Sequence, residues 1–389
     1  MASHPAFART LEPVLRRRAA GYPVLTLTGP RQAGKTTLVR QAFPGHAYFN
    51  LERPDLREFA RTDPRGFLAG VPAAGAVLDE IQRVPELLSW VQVAVDEDPR
   101  PGRFVLTGSH SFELMHSVTQ SLAGRTALLE LLPLSLAELR AGGIRAGTDR
   151  LLFAGGYPRI HADALDPAVV LADYFATYVE RDLRQLVELR HLDEFRRFVA
   201  LAAGRVGQLL NLSSLAADCG VSTPTAKAWV SLLEASYVVR LLRPWHANLG
   251  KRLIKSPKLY FCDVGLACWL IGVREEGQLA AHPLRGALFE NLVVMEFVKH
   301  ALHQGQPVAL HFFRDAQGLE ADLVVEQGML PGQIGLVEIK SGRTVHAQAL
   351  EGLARVADLL GPRVQRRMLV HDGDEVQQRS AAEVVGLLA

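Results

Sequence analysis

The sequence predicts an α/β protein built from several domains. Its 389 residues exceed the size of one ordinary hydrophobic core. Hydrophobic residues make up 48% of the chain and charged residues 22%, which is typical of a globular protein and excludes a mainly disordered or fibrous one. Short apolar runs alternate with helical patterns over residues 23–131. This alternation predicts a mostly parallel sheet that is covered by helices on both faces.

The elements of this first region follow one another in a regular order. An apolar run at 23–28 predicts a strand, a glycine-containing loop follows, and a helix is expected from Lys35 to about Ala42. The glycine-rich segment 141–150 predicts the end of the region. Between them we expect strands at 46–50, 76–80, 103–108 and 126–131, and helices over 85–96 and 111–122.

The loop after the first strand carries a complete phosphate-binding motif. Residues 29–36 read GPRQAGKT, the G-x-x-x-x-G-K-[ST] pattern placed between a strand and a helix. In this motif glycines let backbone N–H groups curl round the phosphates, the lysine reaches the β- and γ-phosphates, and the hydroxyl ligates Mg²⁺. The motif therefore predicts ATP and Mg²⁺ as ligands. The expected nucleotide contacts are Gly29, Pro30, Arg31, Gln32, Ala33, Gly34, Lys35, Thr36, Thr37 and, from a later strand end, Ser109.

Polar residues at other positions complete the predicted hydrolytic site. An apolar strand ends in Asp79, which we expect to hold Mg²⁺ together with Thr36, and in Glu80, which we expect to orient or deprotonate the attacking water. Arg125 is a candidate arginine finger, either for this chain's nucleotide or for a neighbour's, with a plain surface arginine as the alternative. The predicted catalytic residues are Lys35, Glu80 and Arg125.

The middle of the chain predicts a helical lid and a helix-turn-helix. Residues 168–200 have apolar positions three and four apart, which is typical of amphipathic helices. Residues 210–242 predict two short helices joined near Gly220 and a following strand, the pattern of a winged helix-turn-helix. The region 201–260 holds 8 basic and 2 acidic residues, which favours phosphate contact, although a helical protein-contact domain is the alternative. We expect Trp229 in the core and DNA contacts from Thr223, Thr225, Lys227, Arg240, Lys251, Arg252 and Lys255.

Two strands near the C-terminus predict a cluster of carboxylates. A hairpin centred near residue 330 would place Asp322 opposite Glu338, with Lys340 on the same face as Glu338. Glu290, on a preceding helix, is expected to join them. This set suits a Mg²⁺-dependent nuclease in which Glu290, Asp322 and Glu338 hold metal and Lys340 stabilises charge on the reacting phosphate. The alternative is that the domain contacts DNA or protein without catalysis.

Several segments of the chain together resemble a known family. GPRQAGKTTL, VLDEIQRVP, VLTGSHSF, SLAGRTALLELLPLS and GGYPR, in this order and followed by the C-terminal segments above, resemble prokaryotic AAA+ family ATPases with a winged-helix region and a C-terminal PD-(D/E)xK nuclease-like domain. The resemblance implies an AAA+ fold and ATP hydrolysis by Lys35, Thr36, Asp79 and Glu80. It also implies a helical glutamate before the nuclease strands, which corresponds to Glu290. The expected domains are an ATPase core at 1–145, a helical lid at 146–202, a winged helix-turn-helix at 203–246 and an α/β restriction-endonuclease-like domain at 247–389.

These observations predict an ATP-hydrolysing protein that remodels or processes DNA as a motor or helicase, with branched DNA among the candidate substrates. The alternatives are a nucleotide-gated regulatory switch with a catalytically silent, partner-binding nuclease-like domain, and a metal-dependent nuclease licensed by ATP. Three cysteines are too few for a disulfide framework, and no uncharged apolar run approaches the roughly 18 residues of a membrane span. We therefore expect a cytoplasmic protein without membrane contact, and a homo-oligomer is an open prediction.

Overall fold

The computed structural model describes residues 7–109, 118, 120–180, 192–245, 255–326 and 332–389. Two sheets organise these residues. The first has five strands and the second has eight, and most of the remaining helices lie between the two sheets in sequence. The mixed α/β class predicted from the sequence is confirmed.

The first sheet is entirely parallel, with the strand order β2-β3-β4-β1-β5. Leu25 and Leu27 of the central strand pack with α1 and α2 in one apolar cluster, whereas Val24 belongs to another cluster with α4 and α5. Helices therefore cover both faces, as predicted. The helix expected over 111–122 lies mostly outside the described residues. The elements are α1 (Glu12–Ala19), β1 (Val24–Thr28), α2 (Lys35–Ala42), β2 (Ala47–Asn50), α3 (Pro54–Thr62), α4 (Pro64–Ala69), β3 (Ala76–Asp79), α5 (Leu87–Glu97), β4 (Phe104–Gly108) and β5 (Thr126–Glu130).

The parallel arrangement brings the predicted nucleotide residues to one edge of this sheet. The phosphate loop follows the carboxyl end of β1, Asp79 ends β3, and Ser109 follows β4. These three strand ends are adjacent because β1 pairs with β4 and β4 pairs with β3. Ligands of open parallel sheets bind outside the carboxyl ends of the strands, so the fold assembles a site at this edge.

A helical region follows the first sheet. Its apolar cluster includes Phe195, Phe198 and Trp229, and Trp229 is only 4% exposed, which confirms its predicted core position. Gly220 adopts a φ of +74° between the two helices of the predicted helix-turn-helix, in the left-handed region that favours glycine. The helices are α6 (Leu136–Ala141), α7 (Thr148–Ala154), α8 (Pro158–Ala162), α9 (Pro167–Tyr174) with a π-helical continuation (Phe175–Glu180), α10 (Leu192–Ala203), α11 (Leu212–Cys219) and α12 (Thr223–Ala235).

The second sheet begins with a strand that we expected in the wing of the helix-turn-helix. β6 (Val239–Pro244) pairs antiparallel with β7 (Lys258–Phe261), and its last two residues pair with β8 (Leu310–Arg314). The sequence predicted a linker over 244–260. That prediction is wrong for its last residues, because Leu259 and Tyr260 are buried in strand β7. The segment 246–254 lies outside the described residues.

The complete second sheet has the strand order β12-β13-β11-β10-β9-β8-β6-β7. The hairpin pairs Val337 with Leu323, so its register centres on residue 330 and the prediction is confirmed. No helix among the described residues is both long enough and apolar enough to cross a bilayer. The remaining elements are α13 (Val264–Leu270), α14 (Arg285–His303), β9 (Glu320–Glu326), β10 (Ile334–Lys340), α15 (Ala347–Leu360), β11 (Val364–His371), β12 (Val376–Gln378) and β13 (Glu383–Gly386).

Candidate functional site

The phosphate loop has a backbone that its two glycines make possible. Gly29 has a φ of +146°, and a Cβ atom there would collide with the carbonyl oxygen of Leu131. Gly34 has a φ of +92° immediately before α2, and Gln32 between them has a φ of +61°. Positive-φ residues alternating with ordinary ones turn backbone N–H groups toward one point, which is the geometry of an anion-binding nest.

Lys35 lies inside this loop and points its ammonium group at loop carbonyls. Its Nζ donates to the carbonyl oxygens of Gly29 and Pro30, both at 2.8 Å, and the residue is 6% exposed. Burial lowers the pKa of Lys35 to about 8, although the nearby carboxylates of Glu80 and Asp79 oppose this shift. A buried ammonium that contacts only neutral acceptors has charge left for a bound phosphate.

Asp79 gathers three hydroxyl groups at the end of β3. Its Oδ2 accepts a hydrogen bond of 2.9 Å from Thr36, and its two carboxylate oxygens also accept from Tyr48 and Thr107. Asp79 is 3% exposed. The Thr36 hydroxyl and the Asp79 carboxylate are oxygen donors of the kind that Mg²⁺ prefers, and they lie side by side next to the phosphate loop. These residues therefore fit the predicted magnesium ion.

Glu80 has a backbone conformation that is unusual for its residue type. Its φ of +57° and ψ of +48° are left-handed, a strained region for a residue with a side chain, and such strain is found at functional sites. Its carboxylate accepts from the Gln82 amide and, at 3.4 Å, from the Ser109 hydroxyl. Gln82 was not predicted as a site residue, although its place two residues after Glu80 could have suggested the contact.

An arginine near the N-terminus, which was not predicted as a site residue, bonds to the phosphate loop. Arg9 is 6% exposed and donates to the carbonyl oxygens of Ala33 at 2.6 Å and Leu132 at 2.7 Å. It also donates to the carboxylate of Glu138 in α6 at 3.1 Å. The loop is therefore fixed to the start of the helical region by one buried side chain.

A cavity of about 260 Å³ opens beside the phosphate loop. Gly34 and Thr37 line it next to the phosphate loop, and the GGYPR segment contributes Pro158 and Arg159. Mostly apolar cavities with a few polar groups are typical of small-molecule sites. The further lining residues, which the sequence analysis did not connect to the nucleotide, are Phe7, Arg9, Leu38, Gln41, Leu134, Ala162 and Asp163.

Arg125 lies at the opposite edge of the sheet from the phosphate loop. It precedes β5, its carbonyl accepts from Val24 at the start of β1, and its side chain pairs with Asp96 at 2.5 Å. The phosphate loop follows the end of β1, about 16 Å further along a five-residue strand. The predicted role of Arg125 on this chain's own nucleotide is therefore wrong, because the side chain cannot span that distance. A role on a neighbour's nucleotide stays a prediction.

The predicted DNA contacts fall into separate places. Thr223 and Lys227 are exposed and Thr225 is partly exposed on α12, whereas the opposite side of that helix is buried. Arg240 is 27% exposed and pairs with Glu130 of β5 at 3.0 Å, so it faces the first sheet and not α12. Lys255 is exposed. The other two candidates, Lys251 and Arg252, lie outside the described residues.

The predicted carboxylate cluster at the C-terminal hairpin does assemble in part. The Nζ of Lys340 lies 2.6 Å from Oε1 of Glu338 and 3.9 Å from Oδ2 of Asp322. Asp322 also accepts a hydrogen bond of 2.8 Å from the backbone N–H of Ile339. Burial raises the pKa of Asp322 to about 8, and the carboxylates of Glu290 and Glu338 add to this rise.

A second lysine, which the sequence analysis missed, lies within the same cluster. Lys258 of β7 is 4% exposed, and its Nζ is 3.1 Å from Glu290, 2.6 Å from Glu320 and 4.0 Å from Asp322. Tyr260, two residues further on the same strand, donates its hydroxyl to Glu290 at 2.6 Å. Glu320 could have been found as the residue two before Asp322 on one strand face, but no sequence signal connects Lys258 to them.

The predicted metal ligands of the cluster do not fit a metal ion in this arrangement. Throughout the part of the chain that the structure describes, no three acidic, histidine or cysteine side chains are placed to share one ion. The physical reason is that Glu290 accepts hydrogen bonds from Lys258 and Tyr260, and the same Lys258 ammonium lies 4.0 Å from Asp322, so these carboxylates already face a cation of the protein. The predicted ligand set of Glu290, Asp322 and Glu338 is corrected accordingly.

The first sheet, its phosphate loop and the adjoining Asp79 and Glu80 define a P-loop ATPase, and the AAA domain family matches residues 21–140. Two further families match the remainder of the chain, and both are described as domains of unknown function. One, DUF8612, matches residues 145–277, and the other, DUF4143, matches residues 285–388.

Two mycobacterial proteins are related to this chain over most of its length. They are the uncharacterized protein Rv2008c of Mycobacterium tuberculosis and the uncharacterized protein Mb2031c of Mycobacterium bovis. Each is 37% identical over 318 residues, which cover 80% of this chain and 69% of the relative. The chain belongs to the same family as these two proteins.

Solved structures share a more distant likeness. The Walker-type ATPase PABY2304 of Pyrococcus abyssi is 16% identical with a TM-score of 0.44, covering 69% of this chain and 97% of that protein. DnaA of Aquifex aeolicus, solved with AMPPCP, is 15% identical with a TM-score of 0.29, covering 58% of this chain and 85% of that protein. Values this low do not define a shared function.

Proposed function

We propose that this protein is a Mg²⁺-dependent ATPase that uses ATP to bind and remodel DNA through α12. The observation that carries the proposal is the position of α12 between solvent and the nucleotide site. Its N-terminal part presents Thr223 and Lys227 to solvent, and its last residue, Ala235, is followed directly by Ser236 and Tyr237, which bond to Tyr178 and Thr28. A helix held in this way can transmit the nucleotide state to a ligand at its far end.

The connection between α12 and the phosphate loop runs through two tyrosines. Tyr178 donates its hydroxyl to the carbonyl oxygen of Ser236 at 3.0 Å, and Arg31 of the phosphate loop lies over the Tyr178 ring at 5.8 Å. Tyr237 donates to the hydroxyl of Thr28 at 2.7 Å, immediately before the loop. Both contacts lie at the end of α12, so a movement of the loop would reach the helix directly.

The residues of the nucleotide site have distinct roles in hydrolysis. Lys35 would exchange its loop carbonyl contacts for the phosphates of ATP, and Thr36 and Asp79 would hold Mg²⁺, which neutralises phosphate charge when bound. Glu80 is the candidate base. Its carboxylate must leave the Gln82 amide and the Ser109 hydroxyl before it can accept a proton from water.

DNA contact by the exposed end of α12 has a direct test. We expect the protein to bind single-stranded, duplex or branched DNA with an affinity that falls steeply between 50 and 200 mM salt, and DNA to stimulate ATP turnover. The variant Thr223→Ala/Lys227→Ala should weaken binding about 5- to 10-fold and remove the stimulation. Arg65→Ala, which changes an exposed arginine in α4, is the matched control and should bind like the unaltered protein.

Fluorescence anisotropy and a steady-state ATPase assay would measure both effects. Absence of salt-sensitive DNA binding for every substrate shape would contradict the proposal. So would equal losses of affinity in the α12 variant and the Arg65→Ala control.

A nucleotide-gated regulator is the second candidate function. The observation that favours it is the buried Lys258 among the carboxylates: in the described part of the C-terminal region, no three acidic side chains are placed to share one metal ion. This candidate predicts slow ATP hydrolysis that DNA does not change and no cleavage of DNA with Mg²⁺ or Mn²⁺. The same ATPase assay separates the two candidates, because only the first predicts stimulation by DNA.

A further inference from the structure

The C-terminal cluster places a buried lysine where the nuclease-like resemblance would require a divalent metal ion. Lys258 and Tyr260 are two residues apart on β7, so their side chains share one face of the strand and both reach Glu290. The neighbouring residues Leu259 and Phe261 face another apolar cluster. Because side chains alternate along β7, Lys258 and Tyr260 face the cluster on one side of the strand and Leu259 and Phe261 are buried on the other side.

The position of Glu290 opposite Lys258 is fixed by its neighbour in α14. Asn291 is fully buried, and its side chain accepts from the backbone N–H of Phe261 at 2.6 Å and donates to the carbonyl oxygen of the same residue at 3.0 Å. This pair of hydrogen bonds attaches α14 to β7 one residue away from the cluster. Glu290 and Lys258 are thus held together by the backbone as well as by their charges.

Each carboxylate of the cluster lies close to a lysine or arginine side chain. Glu290 and Glu320 lie within 3.1 Å of the Lys258 ammonium, which has three N–H donors, and Asp322 lies 4.0 Å away. Glu320 also pairs with Arg314 at 3.3 Å. The fourth carboxylate, Glu338, pairs with Lys340 at 2.6 Å. Three cations thus face four carboxylates, so the cluster is close to neutral without any added ion.

We propose that the ammonium group of Lys258 is the permanent cation of this cluster and excludes Mg²⁺ and Mn²⁺ from it. The group cannot simply leave when a metal ion arrives, because it is buried, contacts carboxylates on two different elements and lies over the ring of Phe312 at 5.6 Å. Displacing it would bury an unpaired charge, which is strongly unfavourable. The proposal concerns the C-terminal cluster alone and does not depend on DNA contact by α12.

The test measures Mn²⁺ binding to the full-length protein without nucleotide, by electron paramagnetic resonance and by calorimetry. All variants carry Asp79→Asn, which removes the carboxylate of the phosphate-loop metal site. We expect no saturable Mn²⁺ binding at the cluster when Lys258 is present. Lys258→Ala should create one Mn²⁺ site per chain, because it removes the cation and leaves an oxygen-rich cavity. Adding Glu320→Gln to Lys258→Ala should remove that site again.

Two outcomes would overturn the proposal. The first is saturable Mn²⁺ binding in the protein with Lys258 intact that Asp322→Asn abolishes, a measurement that does not need any change at Lys258. The second is a folded Lys258→Ala protein that gains no Mn²⁺ site. A thermal unfolding scan with and without Mn²⁺ accompanies each variant, and a metal-dependent rise in the unfolding temperature is expected for Lys258→Ala only.

Discussion

Two buried lysines occupy the two candidate sites of this protein, and they are in opposite electrostatic situations. Lys35 is 6% exposed and its ammonium group touches carbonyl oxygens, whereas Lys258 is 4% exposed and its ammonium group touches carboxylates. Burial lowers the pKa of Lys35 to about 8. Burial alone would lower the pKa of Lys258 as well, but Glu290, Asp322 and Glu320 raise it above its usual value.

The contrast explains what each site can accept. The Lys35 ammonium bonds directly only to carbonyl oxygens, and the carboxylates of Asp79 and Glu80 nearby do not fully offset its burial, so a triphosphate adds a direct anionic partner and binding is favourable. The charge of Lys258 is already balanced by protein carboxylates, so no ligand is needed. The same residue type therefore forms a receptor in the AAA domain and a closed ion cluster in the C-terminal domain.

Replacing each lysine by methionine, which keeps most of its length, tests this contrast with the largest expected effect. Lys258→Met leaves buried carboxylates without their cation and should lower the free energy of unfolding by about 3–5 kcal/mol. Lys35→Met removes a buried charge whose direct hydrogen bonds go to carbonyl oxygens and whose burial is unfavourable, and it should change the free energy of unfolding by less than about 1 kcal/mol.

Urea denaturation of the two variants, in the absence of nucleotide, measures both values. Equal destabilisation by the two changes would contradict the contrast. The ATPase assay serves as a second readout, since only Lys35→Met should abolish turnover in a folded protein.

The nucleotide half of this contrast could be predicted from the sequence, because its residues are close along the chain or lie at neighbouring strand ends. The motif at 29–36 fixes the positions of Lys35 and Thr36 in advance, and the apolar strand ending in Asp79 fixes its partner. Arg125 was misplaced for an avoidable reason. A residue that precedes a parallel strand lies at the amino edge of the sheet, and the phosphate loop lies at the carboxyl edge.

At the C-terminal cluster, only the residues of the hairpin could be placed from the sequence. A turn centred on residue 330 sets the register of Asp322 against Glu338 by local geometry. Lys258 comes from strand β7, at the other end of a strand order that runs β9-β8-β6-β7, and nothing local in the sequence predicts this order. Lys258 could therefore not be predicted as the cation of the cluster, whereas Asp322 and Glu338 could be predicted as two of its carboxylates.

The pH dependence of ATP binding sharpens the contrast at the phosphate loop. The pKa of Lys35 is about 8 in the free protein, below its ordinary value, so the amine loses its proton as the pH rises through 8. Phosphate binding requires the charged form and must then take up a proton. The dissociation constant for ATP should therefore rise above pH 8, by at most about tenfold per pH unit.

Titrations with a fluorescent ATP analogue from pH 7 to 9.5 measure this dependence. Lys35→Arg is the control, because a guanidinium group stays charged over that range and should flatten the slope even if the affinity is lower. A slope in Lys35→Arg as steep as in the unaltered protein would assign the dependence to another group.

The smallest expected effect concerns two tyrosines, one at each site, that both donate their hydroxyl to a carboxylate. Tyr260 donates its hydroxyl to Glu290 in the closed cluster, and Tyr48 donates to Asp79 at the nucleotide site. Tyr260→Phe removes a hydrogen bond to a buried charged group and should lower the free energy of unfolding by about 1–2 kcal/mol without changing ATP hydrolysis.

Tyr48→Phe should show the reverse pattern because Asp79 keeps its contacts with Thr36 and Thr107. We expect a loss of less than about 1 kcal/mol in the free energy of unfolding, since the carboxylate stays partnered, together with a change in the Mg²⁺ concentration that gives half-maximal ATP turnover. Urea denaturation and a Mg²⁺ titration of the ATPase rate measure both variants. If Tyr260→Phe altered the Mg²⁺ dependence of ATP turnover and Tyr48→Phe did not, the assignment of the metal to Thr36 and Asp79 would be wrong. The Mg²⁺ dependence would then come from the C-terminal cluster.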